Sequence, residues 1–219
     1  MSTSFYSSTL DLAASTVLLT SVITLWRRSV RAIVVALGIN GIALAMSVAT
    51  LGLEHQNIDL AIVSLLVLIV KAFIIPILLL RVIRLDPNSR EVKPLINVPS
   101  SLLAAGILTL LAFTASRSII SLVPAENGRL ISLGLAAMLI GFFSLATKRK
   151  AVSQITGLLL VDNGIDLVAF LATAGVPLLI ELGASLDILL VVIILHILAI
   201  KMRANLGSFS LDSLTELHD

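Results

Sequence analysis

The sequence predicts an all-α, polytopic membrane protein with seven transmembrane helices. Three observations carry this prediction. The chain is 58% hydrophobic and 13% charged, with a mean hydropathy of +1.11. Its apolar stretches are Leu/Ile/Val/Ala blocks, several of them at or beyond the ~18 residues that mark a membrane-spanning helix. They show no period-2 alternation, so helices rather than a closed barrel must satisfy the backbone in lipid. The formal charge of +2 and the pI near 9.3 arise from loop lysines and arginines, which leaves no basic face for nucleic acid. With no cysteine in the chain, disulfides, iron–sulfur ligation and thiol chemistry are excluded. Met1 to Leu10 lacks the basic stretch of a cleavable signal, so the chain is read as mature from Met1.

The first span is expected from about Leu10 to Leu25, rich in Ser and Thr and closed by Trp26-Arg27-Arg28. The second, about Ala32 to Leu53, carries Asn40 near its middle. An acidic turn (Glu54, His55, Asp59) leads to the third, about Leu60 to Ile83, with Lys71 at mid-depth and Pro76 just beyond. Arg84 to Val98 is the long hydrophilic connection. Span four covers about Pro99 to Val123, with Arg117 near its end. Span five runs from about Leu130 to Thr147, span six from about Ala151 to Ala174, and span seven from about Ser185 to Met202, with a polar tail after it. Basic residues sort by side. Arg27, Arg28, Arg31, Arg81, Arg84, Arg90, Lys93, Lys148, Arg149, Lys150, Lys201 and Arg203 fall on one side, leaving only Lys71, Arg117 and Arg129 of the 15 Lys and Arg. The positive-inside rule then puts the N-terminus outside and the C-terminus in the cytoplasm.

A weak internal repeat accompanies this pattern. Asn40-Gly41-Ile42-Ala43-Leu44 matches Asn163-Gly164-Ile165-Asp166-Leu167, each a similar distance past a basic turn. Four regions follow: a three-helix unit with its cytoplasmic loop (1–98), a connecting helix (99–129), a second three-helix unit (130–204) and a cytoplasmic tail (205–219). Because both units start outside, the repeat is parallel rather than inverted.

The residues that can carry chemistry are the ionisable groups inside the spans. Asp162 and Asp166 lie one turn apart on one face of span six. A charge at a helix centre costs roughly 2.5–3.5 kcal/mol on insertion scales, so an intramembrane acidic pair is a functional candidate by default. Two adjacent carboxyls in hydrocarbon resist being charged together, which suits groups that take up and release protons. The alternative is a packing role, with Asn163 and an aspartate bonding a neighbouring helix. Lys71 is too deep to reach the interface comfortably and needs a buried acceptor or a neutral state. It is either a participant in proton transfer or one end of a static salt bridge. His196 titrates in a useful range and is a proton-transfer candidate or a satisfied core histidine. Asn40, Asn163 and Gln154 are read as polar helix–helix contacts. Asp187, Glu181, Glu54 and Asp59 are read as interfacial or solvated. Metal-binding, nucleotide-binding and nucleophile motifs are absent from the sequence, so the chain is expected to be non-catalytic, metal-free and cofactor-free.

Seven spans, the segment Ile69-Val70-Lys71-Ala72-Phe73-Ile74-Ile75-Pro76, the Gly157…Asp162-Asn163-Gly164-Ile165 helix and the tail Gly207-Ser208-Phe209-Ser210-Leu211-Asp212…Leu214 resemble hydrogenase-4 component E over nearly the whole chain. Spans five to seven alone are similar to the K subunit of respiratory complex I and to the C subunit of multisubunit sodium/proton antiporters, through the basic turn Thr147-Lys148-Arg149-Lys150 and Gly157-Leu158…Asn163…Leu167. The K-subunit glutamate of that helix falls at Leu159, with Asp162 three residues on, and the second has only His196 as an ionisable counterpart. The resemblance implies a plasma-membrane (inner-membrane) subunit of a hydrogenase or formate-hydrogenlyase-type oxidoreductase complex, coupling redox chemistry elsewhere to proton movement. It implies antiporter-like membrane partners and, on the cytoplasmic side, nickel–iron hydrogenase and iron–sulfur subunits. Asp162, Asp166, Lys71 and His196 would then be its proton-transfer residues. Two other readings stand beside it: a subunit of a cation/proton antiporter, and a structural adapter between larger membrane proteins.

Overall fold

Aliphatic side chains at this density force the backbone to satisfy itself locally, and helices dominate accordingly. The computed structural model describes residues 3–85, 96–120, 125–148 and 151–173, together with Ile193. The described segments are helices: α1 (Thr3–Trp26), α2 (Val30–Glu54), α3 (Ile58–Val67), a π-helical segment (Leu68–Ile74), α4 (Ile75–Leu85), α5 (Val98–Ala115), α6 (Arg117–Ile120), α7 (Ala125–Thr147) and α8 (Ala151–Thr173). Among the described residues, six stretches are long and apolar enough to cross a membrane: Phe5–Trp26, Val30–Glu54, Ile58–Arg84, Val98–Ala115, Gly128–Thr147 and Val152–Thr173. The protein is a multi-pass, all-helical membrane protein. The expected seventh span, with Asp187 and His196, lies outside the described residues.

Two expected boundaries shift. The first span begins well before Leu10, because the Ser and Thr hydroxyls there bond back to their own helix: Thr9 donates to the Phe5 and Tyr6 carbonyls, and Thr16 to Leu12. Such back-bonding lets hydroxyls sit in an apolar helix. The fourth span is shorter than expected and ends at Ala115. Ser116 turns the chain, donating its backbone N–H to the Ala112 carbonyl, and its hydroxyl pairs with that of Ser132 on α7 at 2.6 Å. Arg117 thus sits past the turn rather than inside the span.

The third span is one apolar stretch built from three pieces. Pro76 has no N–H to give, and its ring crowds the carbonyl four residues back. The π turns just before it widen the helix, so that the Ile75 N–H reaches the Val70 carbonyl five residues back. Helix α2 packs against this widened segment through Gly38 and Gly41. A Cβ on Gly41 would lie 2.9 Å from the backbone of Lys71 and Ala72, so only glycine permits the approach.

Helix α2 is central, touching α1, α3, the π segment, α4 and α8, while α7 and α8 form the most extensive pair. Two apolar clusters fill the two ends of this bundle. One gathers Leu10, Val17, Leu44, Val48, Leu51, Val63, Leu167 and Phe170. The other gathers Val30, Ile33, Val34, Leu37, Ile75, Leu79, Leu159 and Leu160. Along α2 the first begins at Ala43 and the second ends at Leu37; Asn40 lies between. Along α8 the gap falls between Leu160 and Leu167, which is where Asp162, Asn163 and Asp166 lie. A polar layer is thus sandwiched between two greasy ones.

The α7–α8 contact is as tight as the one at Gly41: a Cβ on Gly164 would sit 2.5 Å from the Met138 nitrogen, whereas one on Gly106 meets nothing within 4 Å. Gly164→Ala is expected to lower stability by about 1–3 kcal/mol through overpacking. Gly106→Ala should be neutral or stabilising by up to about 1 kcal/mol. Thermal unfolding in detergent micelles checks both, and equal shifts for the two would contradict this packing.

Candidate functional site: a buried lysine–aspartate cluster at mid-membrane

Three of the predicted residues converge although 91 positions separate the first two. Lys71 Nζ donates to Asp162 Oδ2 at 2.7 Å, and it also donates to Asp166 Oδ2. One helical turn sets the two carboxyls side by side on α8, and the π segment delivers the ammonium between them. Lys71 is 2% exposed, against 10% for the Asp166 side chain and 20% for that of Asp162. The depth predicted for Lys71 is therefore accommodated by acceptors from the other half of the chain. With all three ionised they sum to a net negative charge, and a single proton on either carboxyl cancels it.

Beside this cluster runs a second polar chain. Asn40 Nδ2 donates to the Val17 carbonyl at 2.9 Å, to Thr20 Oγ1 at 2.8 Å and to Ser21 Oγ at 3.3 Å. Asn163 Nδ2 donates to Asn40 Oδ1 at 2.8 Å. The orientation is forced: a carbonyl such as that of Val17 only accepts, so the amide nitrogen of Asn40 must face it and its oxygen must face Asn163. Asn163 in turn presents its nitrogen to Asn40, and its own Oδ1 is buried with no hydrogen-bond partner among the described residues. The asparagines matched by the internal repeat are thus bonded to each other across α2 and α8. Thr20 and Ser21 were not singled out in the sequence. Their signal was the Ser/Thr richness of α1, which does not say which hydroxyls turn inward.

The other candidates fall elsewhere. Gln154 donates to the Lys148 carbonyl at 3.0 Å, so it ties the α7–α8 turn rather than joining the aspartates. Glu54 and Asp59 are exposed at the α2–α3 turn. His196, Asp187 and Glu181 lie outside the described residues.

With the geometry in place, the chain can be compared with known proteins. It is 41% identical over 220 residues to the Uncharacterized protein Rv0085 of Mycobacterium tuberculosis, covering 100% of both chains. The chain belongs to the Rv0085 family. Hydrogenase-4 component E of Escherichia coli K12 is 29% identical over 170 residues, spanning 77% of this chain and 78% of that protein; the Shigella flexneri protein of the same name matches equally. No protein-family profile and no solved structure matches. The similarity of the Rv0085-family chain to component E is therefore a distant one over most of its length.

Removing the cation tests the cluster. Lys71→Met takes the ammonium away from both carboxyls and should cost about 3–5 kcal/mol, as breaking a buried pair does. Adding Asp166→Asn to the same chain should recover much of that loss. Thermal unfolding of the two variants measures both, and additive losses would count against the cluster.

Lys148 titrates outside the spans. It is 4% exposed at the α7–α8 turn, and desolvation by burial pulls its ammonium below the ordinary lysine value of 10.5. Between its lowered folded value and 10.5 the unfolded chain binds the extra proton, so this group makes stability rise with pH across that alkaline window. Below the window both states are protonated and the penalty of the buried charge is constant. Lys148→Met should flatten the alkaline rise, as read from melting temperature against pH for the variant and the parent.

Proposed function

We propose that the chain is an integral membrane subunit of a hydrogenase-like complex, in which Lys71, Asp162 and Asp166 exchange protons. The observation that carries this reading is the three-residue cluster at mid-depth between two apolar layers. The distant similarity to hydrogenase-4 component E supplies the type of assembly. Proton movement would be coupled to redox chemistry in partner subunits: antiporter-like membrane proteins, and nickel–iron and iron–sulfur proteins on the cytoplasmic side. The chain itself contributes no catalytic site and no cofactor to this scheme. Its place is the plasma membrane.

The chemistry asked of the cluster is modest. A proton arriving at the pair is accepted by one carboxylate, and Lys71 turns its remaining donors towards the other. When the proton leaves, the ammonium is shared again. The buried oxygen of Asn163, one residue from Asp162 and three from Asp166, offers an acceptor through which a water can extend the path towards Asn40, Thr20 and Ser21.

The test is proton pumping by the assembled complex in inverted membrane vesicles. Asp162→Asn and Lys71→Met should each lower substrate-driven acidification on the order of tenfold or more, with the complex still assembling and its redox turnover retained. Pumping that survives both substitutions would instead favour a structural adapter. Cation/proton exchange without any redox partner in the purified complex would favour an antiporter subunit.

A further inference from the structure

The carboxyl of Asp162 is half out of its cluster. Its Oδ2 meets Lys71, whereas its Oδ1 takes no hydrogen bond among the described residues. The side chain is 20% exposed, and the residues one turn to either side of it, Leu158 and Ile165, are 43% and 48% exposed. Positions 158, 162 and 165 follow the i, i+4, i+7 spacing of a single stripe. This stripe of α8 therefore faces out of the bundle.

Asp162 stands ten residues from Val152 and eleven from Thr173, the ends of its apolar stretch. At about 1.5 Å per residue, the nearer interface is about 15 Å away. An aspartate has one methylene and cannot snorkel that far, and acyl chains offer no donor. Lys71 cannot turn outward to cover the oxygen, since it divides its donors between two carboxylates and is 2% exposed. What remains on this face is a carboxyl oxygen without a donor among the described residues, flanked by aliphatic side chains and set near the middle of the apolar stretch.

We propose that the Leu158–Asp162–Ile165 stripe of α8 is an intramembrane docking surface for a transmembrane helix of another subunit, carrying a lysine or arginine at the depth of Asp162. The apolar flanks pack against that helix as lipid-facing side chains do in helix pairs. The partner's cation supplies the donor that Oδ1 lacks. Charge complementarity thus selects both the partner and its register. The inference needs only that the chain sits in a membrane among other subunits, and does not depend on proton exchange.

The chain has no cysteine, so reactive groups can also be placed one at a time without background. Photoreactive p-benzoylphenylalanine at position 158 or 165, with position 110 on exposed α5 as a control, is irradiated in native membranes. Adducts are mapped by mass spectrometry. Positions 158 and 165 should both cross-link to one transmembrane segment of a different polypeptide, with a Lys or Arg within about one turn of the adduct depth. Asp162→Asn should cut that yield roughly threefold to tenfold. Asp162→Lys should abolish it, and exchanging the partner's basic residue for Asp should restore it. Adducts only to lipid, to residues 174–219 of this chain, or to a segment without a mid-depth cation would overturn the proposal. So would a yield unchanged by Asp162→Asn. Pumping is not read in this experiment, so its failure leaves the proton-exchange reading standing, and loss of that reading leaves the docking surface standing.

Discussion

A charged amine held at mid-bilayer depth is the constraint to which the rest of the bundle answers. Lys71 cannot stay there alone, so α8 must bring acidic partners within bonding distance. For that to happen α2 must lie close to the lysine's helix, and Gly38 and Gly41 are where that closeness is achieved. The lysine's own helix departs from α geometry over Leu68–Ile74, immediately before a proline that would otherwise crowd the turn behind it. Sequence-distant features (two glycines, a proline, two aspartates) therefore serve a single ion cluster.

The layering of the bundle follows from the same requirement. Apolar side chains close both ends of the space around α2, and polar ones are confined to the middle. Such an arrangement excludes bulk water from the cluster while leaving a line of amides and hydroxyls beside it, from Thr20 and Ser21 through Asn40 to Asn163. Confinement strengthens each of these bonds, because the low local dielectric raises the cost of leaving any polar group unpaired. It also gives weight to the Asn163 oxygen, buried with no hydrogen-bond partner among the described residues, and to the partly exposed carboxyl of Asp162.

Much of this was legible beforehand, for an identifiable reason. Lys71, Asp162 and Asp166 stand out because a charge in a twenty-residue apolar run has so few physical explanations. Asn40 and Asn163 stand out for the same reason, and the repeat paired them. Gln154 was read as a polar helix–helix contact, and its side chain on α8 bonds the Lys148 carbonyl beside the end of α7. The burial of Lys148 left no trace, because a lysine in a basic turn looks like any solvated loop charge. The early end of the fourth span hinged on a serine whose partner, Ser132, lies on another helix.

Composition and periodicity alone determined that the chain is helical, that it crosses a membrane several times and which few side chains bear charge inside it. Those are local properties, set by transfer free energies residue by residue. Who meets whom was settled only in three dimensions. That Lys71 serves both aspartates, that Asn40 bonds Asn163, and that the Asp162 side chain stays partly exposed all depend on how far apart the helix axes lie and how each is rotated. Those quantities come from glycine contacts and side-chain interlocking between helices remote in sequence, which no single stretch of the chain encodes.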